Sequence, residues 1–191
     1  MQNLIPNVIF DSGNQSLALD LYSRLLHERI IFFNDVVDRN SAGHVVAEMI
    51  HLANQSKEPI HFYINSPGGS VIDGLSIIDT MKILPCDVYT YGIGMQASMG
   101  SLLLVCGKKG YRRMLKNSFV MIHSISTGMG GKLPDIEEDF KFTVKLKDIL
   151  TDLYVQNTKI TKDEIESIFK SPDRWFDSKE AIEKGIVDGI I

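Results

Sequence analysis

Gly94-Met95-Gln96-Ala97-Ser98-Met99-Gly100-Ser101-Leu102-Leu103-Leu104 decides how the rest of the chain is read. The strand-like run Asp87-Val88-Tyr89-Thr90-Tyr91 leads into it, and the apolar run 102–105 leads out as a helix. Ser98 therefore sits where a strand turns into a helix, among the small residues Gly94, Ala97 and Gly100. Small neighbours let a reacting carbonyl come close to the hydroxyl and the backbone. The first turn of a helix also has N–H groups with no intrahelical acceptor and a partial positive charge. Ser98 has two readings on these grounds. It is a helix cap, for which serine is favoured, or a nucleophile with the Met99 N–H aimed at a developing oxyanion.

Outward from this turn, strands and helices alternate. Residues 29–34 read as a buried strand, and Asn40 or Ser41 caps a helix with Val45, Val46, Met49, Ile50 and Leu52 on its apolar positions. A strand over 59–65 runs into the turn Ser66-Pro67-Gly68-Gly69-Ser70 and a helix over 71–84. That order predicts an α/β fold with right-handed crossovers and a mostly parallel sheet. Upstream, residues 1–16 read as a mobile arm carrying Leu4, Ile5, Val8, Ile9 and Phe10, followed by a short helix over 17–26. Downstream, short strands over 111–115 and 119–123 are joined by a turn at Asn117-Ser118. After the glycines Gly128, Gly130 and Gly131, a long amphipathic helix over 134–157 carries Ile136, Phe140, Val144, Leu150 and Leu153. Thr161 with Glu164, and Asp177 with Glu180, have the spacing of capping boxes, and Gly185 precedes a last strand starting at Ile186.

Composition bounds the function. The chain has 191 residues, 44% hydrophobic and 23% charged, with a net charge of −4, which suits one soluble domain and offers no basic surface for nucleic acid. No apolar run approaches the ~20 residues of a membrane span. The start, Met1-Gln2-Asn3-Leu4-Ile5-Pro6, lacks the basic and apolar regions of a signal peptide. A cytoplasmic or organellar-matrix protein is expected, with Cys86 and Cys106 as free thiols. No metal motif stands out.

Two further features bear on Ser98. Gly68-Gly69 also lies between a strand and a helix, and such turns gather at one edge of a parallel sheet. The Gly69 N–H could then join that of Met99; the alternatives are a tight turn needing positive φ, or a phosphate loop, for which no P-loop pattern is present. His123 closes the apolar run Phe119-Val120-Met121-Ile122, where it suits a general base or a structural histidine. His27, His44, His51 and His61 lie near or within regular elements with no such turn beside them. A third member would be a carboxylate that orients the imidazole. Asp173, Asp177 and Asp188 are candidates. Asp177 has a helix to cap, Asp188 reads as a turn residue, and Asp173 lies in the irregular loop Ser171-Pro172-Asp173-Arg174-Trp175. The order Ser, His, Asp has no G-x-S-x-G elbow.

Several longer stretches go with these: Tyr22-Ser23-Arg24-Leu25-Leu26, Arg29-Ile30-Ile31, Tyr63-Ile64-Asn65-Ser66-Pro67-Gly68-Gly69-Ser70, Asp79-Thr80-Met81, Ala97-Ser98-Met99-Gly100, Met121-Ile122-His123 and Gly185-Ile186-Val187-Asp188. Over nearly the whole chain they resemble the ClpP family, the proteolytic subunits of Clp proteases. The resemblance implies a ClpP/crotonase-like spiral of ββα units with a protruding handle helix, and one protease domain over 1–191. It implies Ser98 as nucleophile, His123 as base, Asp173 as orienting acid, and Gly69 and Met99 as oxyanion donors. It implies a homo-oligomer of two stacked heptameric rings around a chamber for unfolded polypeptides. The region 124–157 would be the handle, the arm would line an axial pore, and Arg174 would link ring contacts to alignment of the acid. Tyr63 would sit at pockets for a Clp-type AAA+ unfoldase, which would use the ATP; this chain would need no cofactor.

The chain departs from the family after His123. Ser124-Ile125-Ser126-Thr127 stands where the family usually has Gln-Pro, with the glycines displaced beyond it. That segment would pair with extended substrate and meet the opposite ring, so preference and ring contact are expected to differ. The start at Met1, close to the arm, points to a propeptide that is very short or absent. Rival readings are a weakly active or scaffold paralogue in mixed rings, and a crotonase-type acyl-CoA enzyme sharing the fold.

Overall fold

The computed structural model describes residues 5–12 and 15–191. Two strands, β1 (Asn7–Ser12) and β2 (Gln15–Asp20), pair antiparallel from Asn7 opposite Asp20 to Ser12 opposite Gln15. The expected arm is therefore, where described, one leg of a hairpin; Leu4 and the side chain of Phe10 lie outside the described residues. The hairpin also corrects the helix expected over 17–26. Leu17 and Leu19 belong to β2, and α1 spans Leu21–His27. The Asp20 carboxylate accepts from the Ser23 N–H at 3.0 Å, and this cap sets where the helix begins.

The main sheet starts with β3 (Ile30–Phe33). Helix α2 (Arg39–Gln55) comes next, then β4 (Ile60–Ser66), α3 (Val71–Ile83), β5 (Val88–Ala97) and α4 (Met99–Val105). The cap of α2 is Asp38, not Asn40 or Ser41. Its carboxylate takes both the Asn40 and Ser41 N–H groups, and Ser41 completes the box from inside the helix. Strands β6 (Arg112–Met114) and β7 (Phe119–Ile122) come after α4, then α5 (Leu133–Asn157), α6 (Lys162–Phe169), β8 (Arg174–Phe176), α7 (Ser178–Glu183) and β9 (Gly189–Ile190). The main sheet is seven-stranded, in the order β3-β4-β5-β6-β9, with β7 on β5 and β8 on β7. Every pairing in it is parallel except β7 with β8.

The sheet branches at β5. Thr90 to Gly92 pair with β6, and Met95 to Ala97 pair with β7. Of the two residues between, Gly94 needs an unusual backbone: it has φ +64, and an added Cβ would lie 2.7 Å from Asn65 Oδ1. Asn65 Oδ1 instead accepts the Met95 N–H at 2.9 Å. The buried Gln96 amide donates to the Ile64 and Ile93 carbonyls, bracing the bend. Strands β6 and β7 thus share β5 rather than pairing with each other.

Alternate residues of β4 are buried, so one sheet face meets the core and the other stays open. Ile31, Phe62 and Ile64 pack with Met49 and Leu52 of α2, Ile77 and Ile78 of α3, and Met99 and Leu102 to Val105 of α4. The open face carries a row of rings. Tyr63 stacks on Tyr91 at 4.5 Å, and Tyr89 stacks on Tyr111 at 4.1 Å. Helix α5 divides along its length: Leu150, Leu153 and Tyr154 are buried, whereas Leu133, Phe140, Phe142 and Val144 are exposed. No helix among the described residues is long and apolar enough to cross a membrane.

Candidate active site

Ser98 joins the end of β5 to the start of α4 with φ +54 and ψ −123, left-handed space that a residue with a Cβ avoids. Such a conformation costs on the order of 1–3 kcal/mol. Burial of the helix after it outweighs that cost. Leu102, Leu103 and Leu104 are each at most 1% exposed, and burying each contributes about 1.5–3 kcal/mol. On the other side, the Ser98 N–H donates to the Met121 carbonyl at 2.9 Å. The side chain makes no cap hydrogen bond to its helix. Its Oγ lies 2.9 Å from His123 Nε2.

The glycine turn packs directly on this point. A Cβ on Gly68 (φ +90) would lie 2.6 Å from both Ala97 O and Ser98 Cβ, and 2.9 Å from Met99 N. The Val37 N–H donates to Gly68 O at 2.8 Å, and the Ser70 N–H donates to Val37 O at 2.7 Å. In a parallel bridge of this kind the middle residue, Gly69, turns its own N–H to the other side. Met99 is the first residue of α4, so its N–H has no intrahelical acceptor. Gly69 and Met99 both line one cavity of about 250 Å³ with Ser98 and His123.

His123 comes directly after the last residue of β7. Asp173 precedes the first residue of β8, and the antiparallel register sets Ile122 opposite Arg174. The His123 and Asp173 side chains are therefore next to each other across the pair. His123 Nδ1 lies 3.5 Å from Asp173 Oδ1, and the Asp173 side chain is 56% exposed. Of the loop expected over 171–175, Ser171, Pro172 and Asp173 lie outside any strand or helix, and Arg174 and Trp175 begin β8; a three-residue strand at the edge of a sheet has too few positions to show alternation. Asp177 caps α7 through the Lys179 and Glu180 N–H groups. Asp188, expected as a turn residue, forms a forked pair with the buried Arg112 at 2.9 and 2.6 Å.

Arg174 turns away from the acid beside it. It pairs with Glu180 at 2.7 Å and lies 4.7 Å over the Phe176 ring. Tyr63 lies in the ring row on the open sheet face, separate from the residues lining the Ser98 cavity. The rest of that cavity wall is mixed, with Val71, Leu102, Ile125, Leu150 and Tyr154 beside the polar Ser124 and Ser126. The sequence reading did not single out Tyr154 or Ser101, whose hydroxyls meet at 2.6 Å below Ser98. The available signal was a tyrosine on the buried stripe of α5, where its hydroxyl requires a partner. Among the described residues, no group of three or more His, Cys, Asp or Glu is placed to hold a metal.

A serine against an imidazole at the carboxyl edge of a parallel sheet, with two glycine- and helix-derived N–H groups beside it, is the arrangement of a serine hydrolase. The Clp protease family model matches residues 13–191, and the chain belongs to that family. It is 41% identical to the ATP-dependent Clp protease proteolytic subunit of Deinococcus radiodurans, over 100% of this chain and 94% of the relative. It is 42% identical to the protein of the same name from Bdellovibrio bacteriovorus, over 98% of this chain and 90% of the relative. The chain is a serine peptidase of the Clp type.

Proposed function

We propose that the chain is an endopeptidase that cuts unfolded polypeptides into short peptides, with Ser98, His123 and Asp173 as its triad. The observation that carries this reading is the 2.9 Å contact of Ser98 Oγ with His123 Nε2, inside the cavity that Gly69 and Met99 line. His123 takes the Ser98 proton as Oγ attacks the peptide carbonyl, then passes it to the leaving amine. Water, deprotonated by the same imidazole, releases the acyl group. The Gly69 and Met99 N–H groups stabilise the oxyanion in both steps. Asp173 holds the Nδ1–H tautomer and favours the imidazolium. Apart from that water, these steps invoke protein groups only. The side chains of Val71, Leu102, Ile125 and Leu150 in the cavity wall favour an apolar residue before the cut bond.

The apolar residues exposed on α5, including Phe140 and Val144, support the reading of this helix as the handle that pairs two heptameric rings. In that assembly residues 1–191 act as one protease unit, with Arg174 near the ring contact. The ring row around Tyr63 suits an apolar loop of a Clp-type AAA+ unfoldase, which supplies ATP-driven unfolding. The free cysteines Cys86 and Cys106 fit a reducing cytoplasm. The family match favours peptide hydrolysis over crotonase-type acyl-CoA chemistry. One observation favours a second reading, a weakly active paralogue completed in mixed rings: Asp173 stands 3.5 Å from the imidazole and is more than half exposed.

The test is turnover of a fluorogenic peptide by the purified chain, with and without a paralogue ring and an unfoldase. Ser98→Ala should abolish it and leave the sedimenting mass unchanged. Retained turnover would remove Ser98 from the mechanism.

A further inference from the structure

Ser98 has a second partner, on its backbone. Its carbonyl accepts the Ser101 N–H at 3.0 Å and the Ser101 Oγ–H at 2.6 Å. Ser101 Oγ also meets the Tyr154 hydroxyl at 2.6 Å. The count of donors fixes the direction of this chain. A carbonyl only accepts, so the single Ser101 hydroxyl hydrogen is used on Ser98 O. Ser101 Oγ is then the acceptor, and Tyr154 is the donor. The relay runs one way, from Tyr154 on α5 through Ser101 on α4 to the carbonyl of Ser98.

That carbonyl belongs to the same peptide unit as the Met99 N–H. Two donors on one oxygen hold the peptide plane in place, although Ser98 sits at φ +54. Aligned donors also polarise one another and the amide they end on, which strengthens its N–H as a donor. Ser101 is 0% and Tyr154 2% exposed, so no solvent competes for the relay. Burial pushes the Tyr154 hydroxyl well above the usual tyrosine range, so it keeps its proton and remains the donor. The ring is held edge-on to Phe169 at 6.5 Å.

The geometry points to Tyr154 and Ser101 as positioning residues for the oxyanion hole, a relay that fixes and polarises the Ser98–Met99 peptide. This inference rests on the proposed role of the Met99 N–H and adds residues from α4 and α5 to it.

The experiment compares the full-length chain with Tyr154→Phe, Ser101→Ala and the double variant. The probes are a fluorogenic peptide and a peptide aldehyde, whose hemiacetal oxygen with Ser98 would occupy the oxyanion hole. Removing a whole oxyanion donor costs about 10²–10³ in kcat. Here the donor stays but loses its brace, so each single variant should lose about tenfold in kcat with KM changed less than about twofold. Aldehyde affinity should fall by about the same tenfold. The double variant should be no worse than Ser101→Ala, because Tyr154 acts through Ser101. Tyr154→Phe keeps the ring and leaves no donor unpaired, so it carries the test alone if Ser101→Ala folds poorly. Wild-type kcat and aldehyde affinity in Tyr154→Phe would overturn the relay. So would losses that add in the double variant. Fluorophosphonate uptake at Ser98 separates the two levels. If the wild type does not react, the nucleophile assignment fails and takes the relay with it; if it reacts while Tyr154→Phe matches wild type, the relay alone fails.

Discussion

His123 Nδ1 and Asp173 Oδ1 stand 3.5 Å apart, while His123 Nε2 is 2.9 Å from Ser98 Oγ. The imidazole is close to the Ser98 hydroxyl and more loosely held by the Asp173 carboxylate. A charge-assisted N–H···O⁻ bond is about 2.7–2.9 Å, so a shift of well under 1 Å at the start of β8 would close the proposed triad. Arg174, the next residue, is tied to Glu180, and that pair influences where β8 lies.

Asp173→Asn should therefore lower kcat while leaving the fold intact. In a trypsin-type triad the same change costs about 10⁴; the open geometry here makes about 10² the minimum expected. Asp177→Asn is the control. Asparagine caps a helix about as well as aspartate, so this change should leave both stability and per-molecule turnover close to wild type. Peptidase assays and thermal melts on both variants check this, and the reverse pattern would make Asp177 the acid.

Gly68→Ala should cost activity out of proportion to its one methyl. The Cβ would press on Ala97 O, Ser98 Cβ and Met99 N, in a backbone region that favours glycine. A loss of at least about tenfold in kcat is expected, from displacement of the oxyanion peptide. Turnover equal to wild type would mean the two turns are not packed as described.

Acid should weaken the fold through Asp188. Burial alone would raise its carboxyl, but the hydrogen bonds and charge of Arg112 outweigh burial and hold it below the ordinary value. A depressed carboxyl stabilises the fold above its unfolded value, about pH 4, and the contribution is lost as pH falls through the folded value. Asp188→Asn should flatten the acid limb of a stability–pH curve and destabilise at neutral pH by about 2–4 kcal/mol, since the buried Arg112 loses its counter-charge.

Phe140→Glu should shift the chain toward smaller species in sedimentation, because that ring is exposed on the outer half of α5. If pairing of rings aligns Asp173 with His123, peptidase activity per chain should fall with it and rise again with protein concentration. A stable assembly with concentration-independent activity would separate ring pairing from alignment.

The parts legible in the sequence were those with local causes. Small residues around Ser98, the glycine pair before α3 and the apolar run ending in His123 each needed only neighbouring positions to be read. The hairpin was missed because residues 15–20 have alternation too short to separate from the helix that Asp20 caps. Strand β8 was missed for the same reason, and with it the cause of the Asp173–His123 approach. The relay from Tyr154 through Ser101 joins residues 53 positions apart; no local pattern encodes a partner that only packing of α5 on α4 supplies.

The most direct test of the central claim is reaction of the purified chain with a fluorophosphonate, with mass mapping of the adduct. The account predicts one adduct, on Ser98, lost in His123→Ala together with peptide turnover. An unmodified Ser98 in a chain that still cleaves peptide, or an adduct on another serine, would contradict it.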